Sequence, residues 1–333
     1  MWLTLKKFIK KINAKRFLSL IVLLFAAVYI ANNIPTADQF TRLFSLSFVF
    51  AILTYSGVQL LTRSVQILKW GMLIRQEIPI QPFNFIAVVG WQYFLISILP
   101  VRSGELSKPI WVKSNGGSGS RSLGMLLVEK TVDILSIIAV AWTVIWLVPD
   151  MLPDQNKIAP HFLLLTVVVG LTVLIVIGRI GPERIESITQ RITSLLNFNK
   201  LTITNRLHSI VIGITRASQL KFLLPLFFLS VCMWIFTTLS YFFFLTYFLP
   251  EFSWGAAFGI TVLAGFASLF SVGGGNIGVF EAAVIFTLSM NGYSETEALV
   301  YAIGLRVAIT FFNMVTGGIC YTMLKTRRFN SQQ

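Results

Sequence analysis

Apolar stretches of eighteen residues or more recur along the chain, at about 17–34, 43–61, 123–148, 159–180, 222–249 and 298–324. A helix needs about 20 such residues to cross the ~30 Å hydrocarbon core of a bilayer, so each stretch is a candidate span. Backbone polar groups in lipid must pair internally, which leaves helices or a closed barrel. A barrel would show short alternating segments, and the chain has none. Hydrophobic residues make up 55% of the 333 and charged residues only 12%, a balance foreign to a soluble domain. The expected fold class is an all-α polytopic membrane protein: a single integral membrane domain over 1–333 with about six full transmembrane helices.

The formal net charge is +14. The basic residues lie mainly in short polar connections, where the positive-inside rule accounts for them, so nucleic acid is not an expected partner. Lys6, Lys7, Lys10, Lys11, Lys15 and Arg16 precede the first span and anchor the N-terminus in the cytoplasm. Asn32-Asn33-Ile34-Pro35 is a poor cleavage site, so the first span is expected to be retained and not removed as a signal peptide. The second span, 43–61, returns the chain to the cytoplasm, where Arg63, Lys69 and Arg75 follow.

The segment 83–99 is also apolar. If it crossed fully, Lys108, Lys113, Arg121 and the whole basic connection 181–221 would lie outside. If it dips in and returns through about 105–112, both basic regions become cytoplasmic and the acidic connection with Asp150 and Asp154 faces out. The same logic makes 255–290 a second re-entrant hairpin, entering from the opposite side. Ser271-Val-Gly-Gly-Gly-Asn-Ile-Gly-Val-Phe-Glu281 interrupts its apolar run with poor helix formers. Two oppositely inserted hairpins imply an inverted repeat, with half one at about 17–148 and half two at about 159–324. Glu105 and Glu281 are 176 positions apart, as are Lys130 and Arg306. The same shift moves the second span onto 219–237 and the first hairpin onto 259–275. Inverted repeats are characteristic of transporters, whose sites lie where interrupted helices meet.

Intramembrane charge is costly and marks function or structural pairing. The candidates are Arg102 and Glu105 at the turn of hairpin one, Glu129, Lys130 and Asp133 in the third full span, and Glu281 and Arg306. Gly274, Gly275, Asn276 and Gly278 complete the break before Glu281. One reading is a set of ion pairs that hold hairpins against spans. The other is a hydrated cavity in which Arg102, Lys130 and Arg306 neutralise a phosphate, with backbone N–H groups of 273–278 as further donors. Cys232, Cys320, His161 and His208 are isolated, so neither a disulfide nor a metal site is expected. No catalytic or cofactor motif is present, and no cofactor is expected. In 181–221, Ile185, Ile188, Ile192, Leu195 and Leu196 suggest an amphipathic helix on the membrane surface.

Leu99-Pro-Val-Arg-Ser-Gly-Glu105, Glu129-Lys-Thr-Val-Asp133, Gly274-Gly275-Asn-Ile-Gly278-Val-Phe-Glu281, Gly292-Tyr-Ser and Arg306 occur in order. The set resembles the transmembrane domain of lysylphosphatidylglycerol synthases, also called the flippase-like domain family, over roughly residues 15–325. Lys130 stands where an arginine is commoner in the family, Asn276 adds a polar group, and the soluble aminoacyl-transferring domain is not expected in this chain. The resemblance implies translocation or handling of an anionic or glycosylated lipid, of phospholipid or polyprenyl-phosphate type. The alternatives are a membrane-embedded lipid-modifying transferase and an accessory subunit of a lipid or glycan assembly pathway. The expected partners are a membrane lipid with a phosphate headgroup, and copies of the chain itself or enzymes of a lipid pathway. The expected location is the plasma (inner) membrane, with both termini cytoplasmic.

Overall fold

The computed structural model describes residues 45–79, 82–98, 104–147, 159–180, 184, 187, 201–270 and 277–330. The described residues form ten helices and no strand. In chain order they are α1 (Leu46–Ile74), α2 (Pro82–Ile98), α3 (Ser107–Ser114), α4 (Gly119–Leu147) and α5 (Ala159–Arg179). They continue with α6 (Leu201–Ala217), α7 (Leu220–Thr246), α8 (Trp254–Phe270), α9 (Val279–Met290) and α10 (Glu295–Asn330). The first span at 17–34, Arg102, Gly274, Gly275, Asn276, the acidic connection with Asp150 and Asp154, and the apolar positions Ile185 to Leu196 lie outside the described residues.

Among the described residues, α1, α7 and most of α5 and α10 are long and apolar enough to cross a membrane. Their outward surfaces agree. On α5, Phe162, Leu165, Val168, Val169, Val173 and Val176 are all exposed and form one helical stripe, a surface that lipid and not water satisfies. The chain is a multi-pass helical membrane protein. Helix α4 is as long as α1 but carries Glu129, Lys130 and Asp133 within it.

The second span is longer than its sequence suggests. Charge placed its end near 61, yet α1 continues to Ile74 and takes Arg63 and Lys69 with it. Lysine and arginine are good helix formers, so a charge alone does not stop a helix. The Arg63 guanidinium donates to Gln66 one turn on, and Lys69 is fully buried against a carboxylate of α4.

Two pairs of helices, α2 with α3 and α8 with α9, follow one another across a short connection. After α2, a short 3-10 turn at 104–106 brings Gly104 onto the backbone of Leu95 and Ile96, where a Cβ would sit 2.5 Å from the Ile96 nitrogen. Only glycine permits that approach. After α8, the chain folds back so that Gly259 faces Thr287 of α9, with room for little beyond a hydrogen at the contact.

The chain divides into two compact units: 1–57 with 93–105 and 238–316, and 58–92 with 106–237 and 317–333. In the first, an aromatic and aliphatic core joins α1, α7, α8, α9 and α10, with Tyr55 stacked on Tyr241 and edge-on to Phe244 and Phe312. In the second, α4 is the centre. Gly124 of α4 lies against the Ile210 backbone of α6, Gly213 of α6 against the Arg121 backbone of α4, and Gly170 of α5 against Leu135. Small residues at such crossings let helices meet at backbone distance, the means of association available where lipid cancels the hydrophobic effect. Helix α6 is thus packed along α4 as well as amphipathic.

Candidate functional site

In the first unit the site is built where α9 begins. Gly278 has φ +87°, a conformation open to glycine, and it turns the chain into the helix. Three residues on, the Glu281 carboxylate reaches back and accepts the Gly278 N–H at 2.7 Å, which satisfies one of the helix's orphan donors and places negative charge at the positive dipole end. The same carboxylate takes Arg306 of α10 at two points, Nε to Oε1 at 2.5 Å and Nη2 to Oε2 at 3.1 Å. The guanidinium also lies over the Phe280 ring, 4.6 Å from its centroid. Both side chains are mostly buried, with 18% of Arg306 and 15% of Glu281 exposed. The helix start and Arg306, each able to hold an anion, are thus both engaged by one carboxylate. An incoming phosphate would have to take the place of Glu281. Glu105, half-buried, lies in the same unit, in the turn after α2.

Glu129, Lys130 and Asp133 belong to the second unit. Asp133 accepts Lys69 of α1 and the Ser230 hydroxyl of α7 (2.7 Å) on one oxygen, while Lys130 lies 3.5 Å from the other. Its backbone carbonyl accepts the Trp234 indole N–H at 2.9 Å. One helical turn earlier, Glu129 takes Lys108 of α3 on both oxygens, at 3.1 and 3.2 Å. The Lys108 ammonium also stands 4.7 Å from the centre of the Trp70 ring. Lys69, Lys108, Glu129 and Asp133 are all buried. Such charges survive only when paired and hydrogen-bonded, since several kcal/mol of desolvation is otherwise uncompensated.

Two of these bases, Lys69 and Lys108, were read from the sequence only as topological charge. The signal for Lys69 was present: Leu68, Trp70, Met72 and Leu73 continue the apolar run past it. Lys108 is followed directly by Pro109, a residue suited to a helix's first turn, so it could have been placed at the start of the returning helix.

Helix boundaries recur at two fixed spacings along the chain. Helices α4 and α10 begin 176 positions apart, and α3 and α9 end 176 apart. The ends of α1 and α7, and of α2 and α8, are 172 apart, so the uniform shift slips by four in the earlier helices. On the 176 register Lys130 corresponds to Arg306, but Lys108, Glu129 and Asp133 correspond to Val284, Leu305 and Ile309. Val284 and Leu305 are fully buried in the first unit's core. On the 172 register Lys69 corresponds to the buried Tyr241. At these spacings the ion-paired Lys69, Lys108, Glu129 and Asp133 fall on an aromatic ring and three aliphatic residues.

Among the described residues no cluster of histidine, cysteine or acidic side chains could hold a metal ion. Comparison with curated proteins and with solved structures gives no match. One family model matches residues 15–317, nearly the whole chain: the chain belongs to the family described as the lysylphosphatidylglycerol synthase TM region.

Proposed function

We propose that this protein translocates or positions a lipid with an anionic, phosphate-bearing headgroup, without covalent chemistry of its own. The observation that carries the reading is the Glu281–Arg306 pair at the freshly started helix α9. It is a neutral, backbone-tied arrangement whose carboxylate can be exchanged for a phosphate, because the N-terminal N–H groups and the guanidinium suit either anion. Helix α9 has 12 residues and α8 has 17, or about 18 and 26 Å at the helical rise. Both fall short of the ~30 Å core, which favours re-entrant hairpins over full spans. Alpha-helical breaks of this kind supply midplane sites in transporters built from inverted repeats.

In this scheme Arg306 contacts the phosphate, together with the N–H groups that open α9. Glu281 orients Arg306 until the phosphate replaces it. The tails stay in the bilayer. Both termini lie in the cytoplasm and the protein resides in the plasma membrane. Leaflet exchange of a labelled anionic phospholipid in proteoliposomes tests the assignment. Arg306→Glu is expected to abolish exchange while the protein still folds, and unchanged exchange would sink the proposal. Cysteines at Lys113 and Arg206 are expected to label from the cytoplasmic face alone.

A further inference from the structure

A second cluster of charge stands away from the charges already described, where α1 and α6 end and α4 begins in the second unit. Glu77 lies three residues past the end of α1, and only 1% of its side chain is exposed. Its two oxygens hold two arginines: Arg121 in the first turn of α4, Nε to Oε2 at 3.3 Å, and Arg216 near the end of α6, Nη1 to Oε1 at 3.2 Å. The glycine contacts explain how two like charges come to share one carboxylate. Gly124 and Gly213 each lie three residues from one of the arginines, and they bring the two helices to backbone contact beside them. The close crossing fixes the backbones from which both arginines reach the one carboxylate.

The carboxylate cancels one of the two positive charges and leaves one. Arg121 is 35% exposed and Arg216 40%, and among the described residues each spends one nitrogen on Glu77. A guanidinium has five donors in a planar fork, so one contact with Glu77 does not use up its hydrogen-bonding capacity. The depth is also defined. Candidate spans end at Ile74 and begin again at Leu220, within four residues of Glu77 and Arg216. The cluster thus stands at the level of lipid headgroups, flanked by the exposed Leu220 and Leu224.

We infer that Glu77, Arg121 and Arg216 form a peripheral binding site for the phosphate of an anionic membrane lipid, with Glu77 as the positioning residue and the two arginines as its contacts. Basic pockets at the membrane face take phosphate headgroups in this way, and the paired forks add geometry that scattered surface lysines lack. The site stands independently of the headgroup cavity proposed above.

The test is a thermal-unfolding titration of the purified full chain in neutral detergent with phosphatidylglycerol, phosphatidylcholine or inorganic phosphate. Phosphatidylglycerol is expected to raise the midpoint saturably, while the other two leave it unchanged. The double variant Arg121→Lys with Arg216→Lys keeps both charges on Glu77 and removes the forks. It is expected to need about tenfold more phosphatidylglycerol for half the effect, the loss expected for a charge-assisted pair at a half-exposed position. Arg75→Gln, which removes a nearby charge without touching Glu77, is expected to titrate as the wild type does. An unchanged half-point in the double variant would overturn the site. A shift produced equally by inorganic phosphate through the same arginines would overturn the lipid as its occupant. Because Arg306 is untouched, transport can fail or persist without altering this result.

Discussion

Arg306 and Glu281, 25 positions apart, meet as a two-point ion pair on the first turn of α9, with the Gly278 N–H on the same carboxylate. One side chain therefore caps a helix and fixes the neighbouring α10. Glu281→Gln keeps the shape and removes the charge, which leaves Arg306 mostly buried and poorly compensated. A loss of about 1–3 kcal/mol is expected, since residual exposure screens part of the full penalty of a broken buried pair. Denaturant unfolding in detergent measures it. Arg306→Lys is expected to lose less, because charge remains and only the fork is gone.

The Lys108–Glu129 pair tests whether buried charge in half one is needed for folding. Val284 and Leu305, 176 positions further on, are both buried. Lys108→Val or Glu129→Leu alone strands its partner and is expected to cost about 3–5 kcal/mol. The two together are expected to restore most of that stability, within about 1 kcal/mol of wild type, while lipid exchange in proteoliposomes falls. A double-mutant cycle read by unfolding, with exchange assayed beside it, separates the two effects. Full activity in the stable double variant would reduce the pair to scaffolding.

Gly213→Ala places a methyl group against the Arg121 carbonyl of α4, a contact with backbone that no rotamer relieves. The helices must part, at about 1–3 kcal/mol by the usual scale for overpacking. The same separation moves Arg216 from Glu77. Loss of stability with intact helical content by circular dichroism is the expected result.

Gly278→Ala leaves the N–H that Glu281 accepts and changes only the backbone at φ +87°. A loss of about 1–2 kcal/mol in thermal or denaturant unfolding is expected, from the steric cost of a Cβ in the left-handed region. An unaltered midpoint would mean that the turn adopts another conformation.

Much of the fold was legible in the chain because lipid imposes a simple rule: apolar runs of sufficient length become helices. The runs at 123–148 and 159–180 correspond closely to α4 and α5, the apolar stretch 83–99 to α2, and the stretch 255–290 contains the two helices α8 and α9. The end of α1 was not legible, since Arg63 and Lys69 look like a polar boundary until their partners are known. Of the candidate site, Glu281 and Arg306 could be named from their depth in apolar sequence, but not their contact across 25 positions. Lys69 and Lys108 were missed as site residues for the same reason: local pattern records a charge and says nothing of what neutralises it.

The sequence by itself determined the helical spans and which residue types sit deep in apolar sequence, because helix geometry and lipid solvation act on neighbours along the chain. The tertiary structure alone decided the pairing: Lys69 with Asp133, Lys108 with Glu129, Arg306 with Glu281, and two arginines on Glu77. Those choices depend on how closely helices approach, which is set by glycines such as Gly124 and Gly213 meeting backbone from distant parts of the chain. A buried charge must find its partner in space, and no local periodicity specifies where that partner stands.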